Sequence, residues 1–227
     1  MNAKPPHNSR TLRTAQVRAL DLLKMVEESK LIAPGRWERE IAADVVSLAQ
    51  EQFGVTRRWH KDIVRSGPNT LATFHERRAD RRLTEDEIVF LDLGPVFGDL
   101  EADVGRSFVV GSDPAKHRLV SDLEELHGAV GARMASSPNI SGAELYRFAA
   151  AQAHNRGWDF IGKIAGHIVG PFSHLRDGGS KAEFYISPEN ERVLADVEFQ
   201  GAPANWIIEI HIASPCASFA GFFEQLA

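Results

Sequence analysis

Asp92 and Asp103 lie eleven positions apart in residues 90–111, FLDLGPVFGDLEADVGRSFVVG, a stretch that is otherwise largely apolar. Leu91 and Leu93 flank the first carboxylate and Val104 follows the second. A carboxylate in such a setting is costly unless it is paired or bound to a cation. Three more residues share the apolar, strand-like surroundings: His167 within Gly-His-Ile-Val-Gly, Glu209 in a β-rich run, and Glu224 near the end of the chain. Four carboxylates and one imidazole suit divalent ions of the Mn²⁺, Fe²⁺ or Co²⁺ kind, with Zn²⁺ also compatible. One ion does not need four carboxylates. Two ions roughly 3.5 Å apart do, because carboxylates can bridge them, and water shared between two such ions is acidic enough to supply a nucleophile at neutral pH.

These residues have to be brought together by elements that the patterning predicts. The two aspartates fall on strands 88–97 and 103–110, joined by a short turn. Ahead of them, apolar residues at helical period (Val17, Leu20, Leu22, Leu23, Met25, Val26) predict a helix over 11–30. Ala33-Pro34-Gly35 breaks it, and a second helix follows over 36–53. A strand over 62–65, the turn residues Ser66-Gly67-Pro68-Asn69 and a second strand over 71–75 read as a hairpin. Asp113-Pro114 is a helix start, and Ser141-Gly142-Ala143-Glu144 is a capping box that opens a fourth helix. Strands are expected within 161–170, over 206–213 and over 219–226, with a polar loop over 176–190. A helix pair followed by strands occurs twice, which implies an α+β class with two related halves around a curved sheet.

Composition narrows the rest. The chain has 227 residues, 43% hydrophobic and 25% charged, which argues for a globular fold over a disordered or fibrous one. A net charge of −5 gives no footprint for nucleic acid. No apolar run approaches the roughly 20 residues of a membrane span. Cys216 is the one cysteine, so no intrachain disulfide is expected. The opening residues have no apolar core of a secretory signal, and the chain is expected in the cytoplasm. Residues 1–10 read as a flexible tail and 11–227 as a single catalytic domain.

The order and spacing of the candidate ligands resemble those of the pita-bread metallopeptidases, the family of methionine aminopeptidase, aminopeptidase P, prolidase and creatinase. Asp92-Leu93-Gly94 followed by Asp103-Val104-Gly105-Arg106-Ser107-Phe108 resembles the family's first metal-binding block. Gly166-His167-Ile168-Val169-Gly170 with His174 beyond it is similar to the histidine block, and Ser66-Gly67-Pro68-Asn69-Thr70 with His75 to the upstream histidine segment. Ile208-Glu209 and Phe223-Glu224 resemble the last two ligand positions. The resemblance implies a pita-bread fold, a curved antiparallel sheet covered by two helix pairs. It also implies two divalent ions, Mn²⁺ first, then Co²⁺, Fe²⁺ or Zn²⁺. Asp92, Asp103, His167, Glu209 and Glu224 would be the ligands, with Asp103 and Glu224 bridging. Glu209 would also move a proton, and His75 and His174 would line the substrate cleft. The implied activity is a dinuclear hydrolase, an aminopeptidase of Xaa-Pro type using a metal-bridging hydroxide on a peptide substrate, with a homodimer as its assembly.

Simpler readings compete at each position. Asp92 could cap a turn before Gly94-Pro95, Asp103 could pair with Arg106, and Glu224 could be a solvated residue near the chain end. His211 reads as structural, and His60, His117, His127 and His154 as surface or helix residues. The chain also departs from the family pattern: Ile168 stands between the histidine block's glycines, Ile210 follows Glu209, and Gln225 follows Glu224. These departures keep two alternatives open, a non-peptidase member of the fold acting on a C–N bond of a small metabolite (creatinase-like or a lyase) and a non-catalytic binding module.

Overall fold

In the computed structural model, residues 9–170 and 182–227 are described. Two helices, α1 (Ser9–Glu28) and α2 (Glu38–Phe53), precede strand β1 (Ile63–Ser66). Strand β2 (Glu87–Leu93) and strand β5 (Val104–Val110) follow, joined through the small ladder of β3 (Val96–Phe97) and β4 (Leu100–Glu101). A second helix pair, α3 (Pro114–Ser136) and α4 (Gly142–Asn155), leads to β6 (Asp159–Phe160) and β7 (Gly166–Val169). After β8 (Glu198–Phe199) and β9 (Ala202–Pro203), the long strands β10 (Asn205–Ala213) and β11 (Ala220–Leu226) close the chain.

The main sheet is antiparallel in the order β1-β2-β5-β11-β10-β6, with β7 also paired to β10. Each half therefore contributes a helix pair, an outer strand, a middle strand and an inner strand: β1, β2, β5 in one and β7, β10, β11 in the other. The inner strands meet at Gly105 opposite Glu224. One sheet face lies on the helices. Leu22, Val26, Ile41 and Val45 pack on Val89, Leu91 and Val104 in the first half. Leu119, Leu123, Leu126 and Leu145 pack on Ile208, Ile210 and Ile212 in the second. Alternation along the strands then sends the intervening residues, including Asp92, Glu209 and Glu224, to the other face.

The helix starts follow the expected chemistry. Asp113 Oδ1 accepts from the Ala115 amide at 2.8 Å, and Ser141 and Glu144 satisfy each other's backbone amides at 3.2 and 2.9 Å. Helix α1 begins at Ser9, two residues ahead of the expected start.

Three expectations are corrected. The strand expected over 88–97 ends at Leu93, because Pro95 has no amide for the ladder and the chain turns into the β3–β4 ladder instead. The segment 71–75 is not a strand. Gly67–Leu71 is a 3₁₀ turn, and the Arg65 guanidinium donates to the carbonyls of Ala72, Phe74 and Glu76, holding this stretch as a loop. Strand β1 pairs with β2, Ile63 opposite Asp92, and so forms no local hairpin. Within the segment 161–170, strand β7 spans Gly166–Val169, while β6 precedes it at Asp159–Phe160. Of the polar loop expected over 176–190, residues 176–181 lie outside the described residues.

Candidate metal centre

A single row of the sheet builds the site. Asp92 pairs with Gly105, Gly105 with Glu224, and Glu224 with Glu209, so the three carboxylates stand side by side on one face. Asp103 enters the same face two residues ahead of Gly105, and His167 arrives opposite Ile207, two residues before Glu209. Gly105 is the gap that lets the row close. A Cβ there would stand 2.3 Å from the Phe222 ring and 3.1 Å from the Glu224 Cβ.

All five residues proposed from the sequence as ligands line one cavity of about 860 Å³. His167 Nε2 is 3.2 Å from Asp103 Oδ2 and 3.2 Å from Glu224 Oε1. His75 sits on the cavity wall, exposed, its ring edge-on to Phe74 at 5.1 Å. The loop that carries it is the one pinned by Arg65. His174 lies outside the described residues. Arg106 does not pair with Asp103: its guanidinium lies 3.7 Å from the centre of the Phe223 ring and donates to Gln225 Oε1. His211 shares the cavity face, but its Nε2 donates to the Thr70 carbonyl at 2.8 Å.

One residue of the cluster was read otherwise from the sequence. His60, taken as a surface residue, has a side chain only 6% exposed, with Nε2 3.4 Å from both Asp92 Oδ1 and Asp103 Oδ1. Its surroundings in sequence, Arg57-Arg58-Trp59-His60-Lys61, are those of a solvated turn. Only the pairing of residues 57–59 against Gly94–Val96 takes it inward, through Trp59 N to Gly94 O and Val96 N to Arg57 O. The apolar Trp59 beside it was the one local signal. His127 is a helix residue, on α3, buried against Phe223.

The electrostatics of this cluster call for cations. Burial pushes Asp92 up to about 7, against the pull of His60, and Glu209 up to about 8, against the pull of His167. Burial and the neighbouring Asp103 hold Glu224 well above the usual carboxylate range. Asp103 stays below its ordinary value: burial opposes its charge, but the adjoining imidazoles of His167 and His60 outweigh that. Burial also opposes a proton on His60, and the carboxylates of Asp92 and Asp103 overcome it, to about 10. Imidazole protons on His60 and His167 are the positive charge in contact with the carboxylates, while the Arg65 guanidinium, also on the cavity, is committed to the loop carbonyls. Both oxygens of Asp103 are buried and neither accepts a hydrogen bond of good geometry. Leaving a buried carboxylate in that condition is costly, and a divalent ion on each side of it removes the deficit. The donor atoms fall into two groups that share Asp103, one with His60 and Asp92, the other with His167 and Glu224, each group within 4.8 Å. The residues present therefore fit a pair of divalent ions.

Comparison with known proteins agrees with this geometry. The family model described as metallopeptidase family M24 matches residues 10–197. An Xaa-Pro dipeptidase of Pyrococcus furiosus is 30% identical over 140 residues, which are 61% of this chain and 39% of that protein. The Xaa-Pro dipeptidase of Pyrococcus horikoshii is 29% identical over the same shares. The chain thus spans well under half the length of these curated relatives. Among solved structures, a prolidase from Thermococcus sibiricus superposes with a TM-score of 0.70 at 23% identity, covering 96% of this chain and 56% of the other. A methionine aminopeptidase from Thermotoga maritima gives 0.70 at 16% identity, covering 99% and 94%. The α+β, pita-bread architecture expected from the sequence is borne out by these likenesses.

Proposed function

This chain belongs to metallopeptidase family M24, and from that premise we propose that it is a two-cation hydrolase of aminopeptidase type, acting on the bond between an N-terminal residue and proline. The observation that carries the reading is the convergence of Asp92, Asp103, His167, Glu209 and Glu224 on one cavity, with both oxygens of Asp103 buried and unsatisfied. The relatives that match in sequence are named Xaa-Pro dipeptidases, which supports a peptide with proline in second position as the substrate class.

Two divalent ions, when bound, supply an acidified water and a Lewis acid for a carbonyl. Mn²⁺ is the first candidate, with Co²⁺, Fe²⁺ or Zn²⁺ as alternatives, since carboxylates with imidazole accept all four. The chain's own residues do the rest. Asp92 and Asp103 would hold one ion and His167 and Glu209 the other, with Asp103 and Glu224 shared between them. Glu209, a carboxylate on the cavity wall, would take a proton from attacking water and pass it on. His75, on the wall held by Arg65, is placed to hydrogen-bond substrate, and Trp59, Phe74 and Tyr185 give the cavity apolar surface for a side chain or a proline ring. In this reading His174, by its position in the sequence of the histidine block, is proposed for the same role as His75. A cytoplasmic homodimer completes it, consistent with the single cysteine. Among the described residues no helix is long and apolar enough to cross a membrane.

The test is elemental analysis of the purified chain followed by turnover on a panel of Xaa-Pro and Xaa-Ala dipeptides. Bound metal with Xaa-Pro cleavage is the expected result. Metal bound with no peptide cleaved would move the assignment to a small-metabolite C–N hydrolase or lyase on the same centre.

A further inference from the structure

We propose that His60 is a sixth protein ligand of the centre, binding through Nε2 the cation that Asp92 and Asp103 hold. This rests on the two-cation reading above and adds an imidazole that the sequence motifs did not contain.

Four observations carry it. The first is delivery. Trp59 N donates to the Gly94 carbonyl at 3.1 Å and Trp59 Nε1 to the Ala102 carbonyl at 3.1 Å, clamping the segment before β1 onto the aspartate strands. The His60 ring lies so close over Gly94 that a Cβ there would be 2.4 Å from its Cδ2 and 2.6 Å from its Nε2. The second is tautomer. His60 Nδ1 is 2.9 Å from the Lys61 carbonyl, which can only accept, so Nδ1 keeps its proton in either charge state and Nε2 is the nitrogen whose proton a bound ion would displace. His167 is held in the same way, Nδ1 to the Ile168 carbonyl at 2.9 Å. Fixing one ring nitrogen on a backbone carbonyl is how proteins orient a ligand imidazole.

The third is distance. Nε2 lies 3.4 Å from each aspartate oxygen, beyond the range of a good hydrogen bond. Donors on bonds of about 2.1 Å around a tetrahedral ion lie about 3.4 Å apart, which is the spacing seen. The fourth is balance. Asp103 presents Oδ1 to His60 and Oδ2 to His167, so each ion would receive one imidazole. A second nitrogen donor shifts preference toward Co²⁺, Fe²⁺ or Zn²⁺ and away from Mn²⁺.

The test uses the full chain loaded with Co²⁺ and proton NMR in H₂O and D₂O. Each Co²⁺-bound histidine gives one strongly shifted Nδ1–H signal that disappears in D₂O. Two such signals are expected in the wild type and one in His60→Gln, which should also bind one of two Co²⁺ equivalents about tenfold or more weaker by titration calorimetry. A single exchangeable signal in a wild type that binds two equivalents would overturn the inference alone, leaving His60 as a counter-charge to the aspartates. A wild type that binds no Co²⁺ would overturn it together with the two-cation reading. The wild-type count decides even if the variant does not fold.

Discussion

Asp103 and Glu209 are carboxylates on one sheet face, yet their surroundings set them apart. Asp103 stands between two imidazoles and stays ionised. Glu209 has protein around it and is pushed up to about 8. Glu209 keeps partial contact with the cavity, whereas Asp103 is buried between two imidazoles, so Glu209 is the carboxylate able to exchange a proton with water there. Glu209→Gln should therefore lower kcat on an Xaa-Pro dipeptide by roughly 10²–10⁴-fold with a much smaller change in KM. Wild-type turnover in that variant would remove Glu209 from the chemistry, and metal analysis of the same sample separates lost proton transfer from lost metal. At this scale the sequence was informative where a carboxylate sat among strand-forming apolar residues, as at Asp92 and Asp103. It was silent at His60, whose neighbours Arg57, Arg58 and Lys61 belong to a surface turn. What brings His60 inward is a contact with Gly94 thirty-four positions on, and no local pattern encodes that.

Strands and turns fix how closely these groups approach. The row Asp92–Gly105–Glu224–Glu209 needs the two halves to meet at a residue without a side chain. Gly105→Ala should cost about 1–3 kcal/mol in urea unfolding, since the new methyl would meet the Phe222 ring and the Glu224 Cβ, and it should weaken metal binding as the inner strands separate. Unchanged stability and metal content would show that β5 and β11 are free to shift. Helix starts were legible because Asp113 and Ser141 act on amides two or three residues away. The loop 71–75 was not, because Arg65 and the distant β2 decide it: the guanidinium takes the carbonyls that a hairpin would have used. Thr70 ties the same turn to β11, its hydroxyl accepting from the Ala220 amide at 2.8 Å.

At the scale of the molecule, burial favours the neutral form of His127 and His211 among the described residues. Burial lowers His127 to about 4, with Arg106 nearby adding to the effect, and burial lowers His211 to about 4 as well. Above the free-histidine value neither state of the chain is protonated there. As pH falls from about 6.5 toward 4, only the unfolded chain takes up these protons, so stability is lost across that window, on the order of 3 kcal/mol per histidine. The stability difference between the wild type and His127→Leu, measured by urea unfolding at steps from pH 7 to 4, should shift by that amount in favour of the variant at low pH. Parallel curves would mean that His127 is protonated in the folded chain.

The repeated helix-pair and strand order was readable from periodicity and caps, and it places the cluster where the two halves join. The claim at the centre of this account is that the junction holds two cations. Anomalous diffraction from Mn²⁺- or Co²⁺-soaked crystals tests it most directly. The account predicts two peaks about 3.5–4 Å apart, one on the His60–Asp92 side of Asp103 and one on the His167–Glu224 side. A single peak, or none at Asp103, would contradict it.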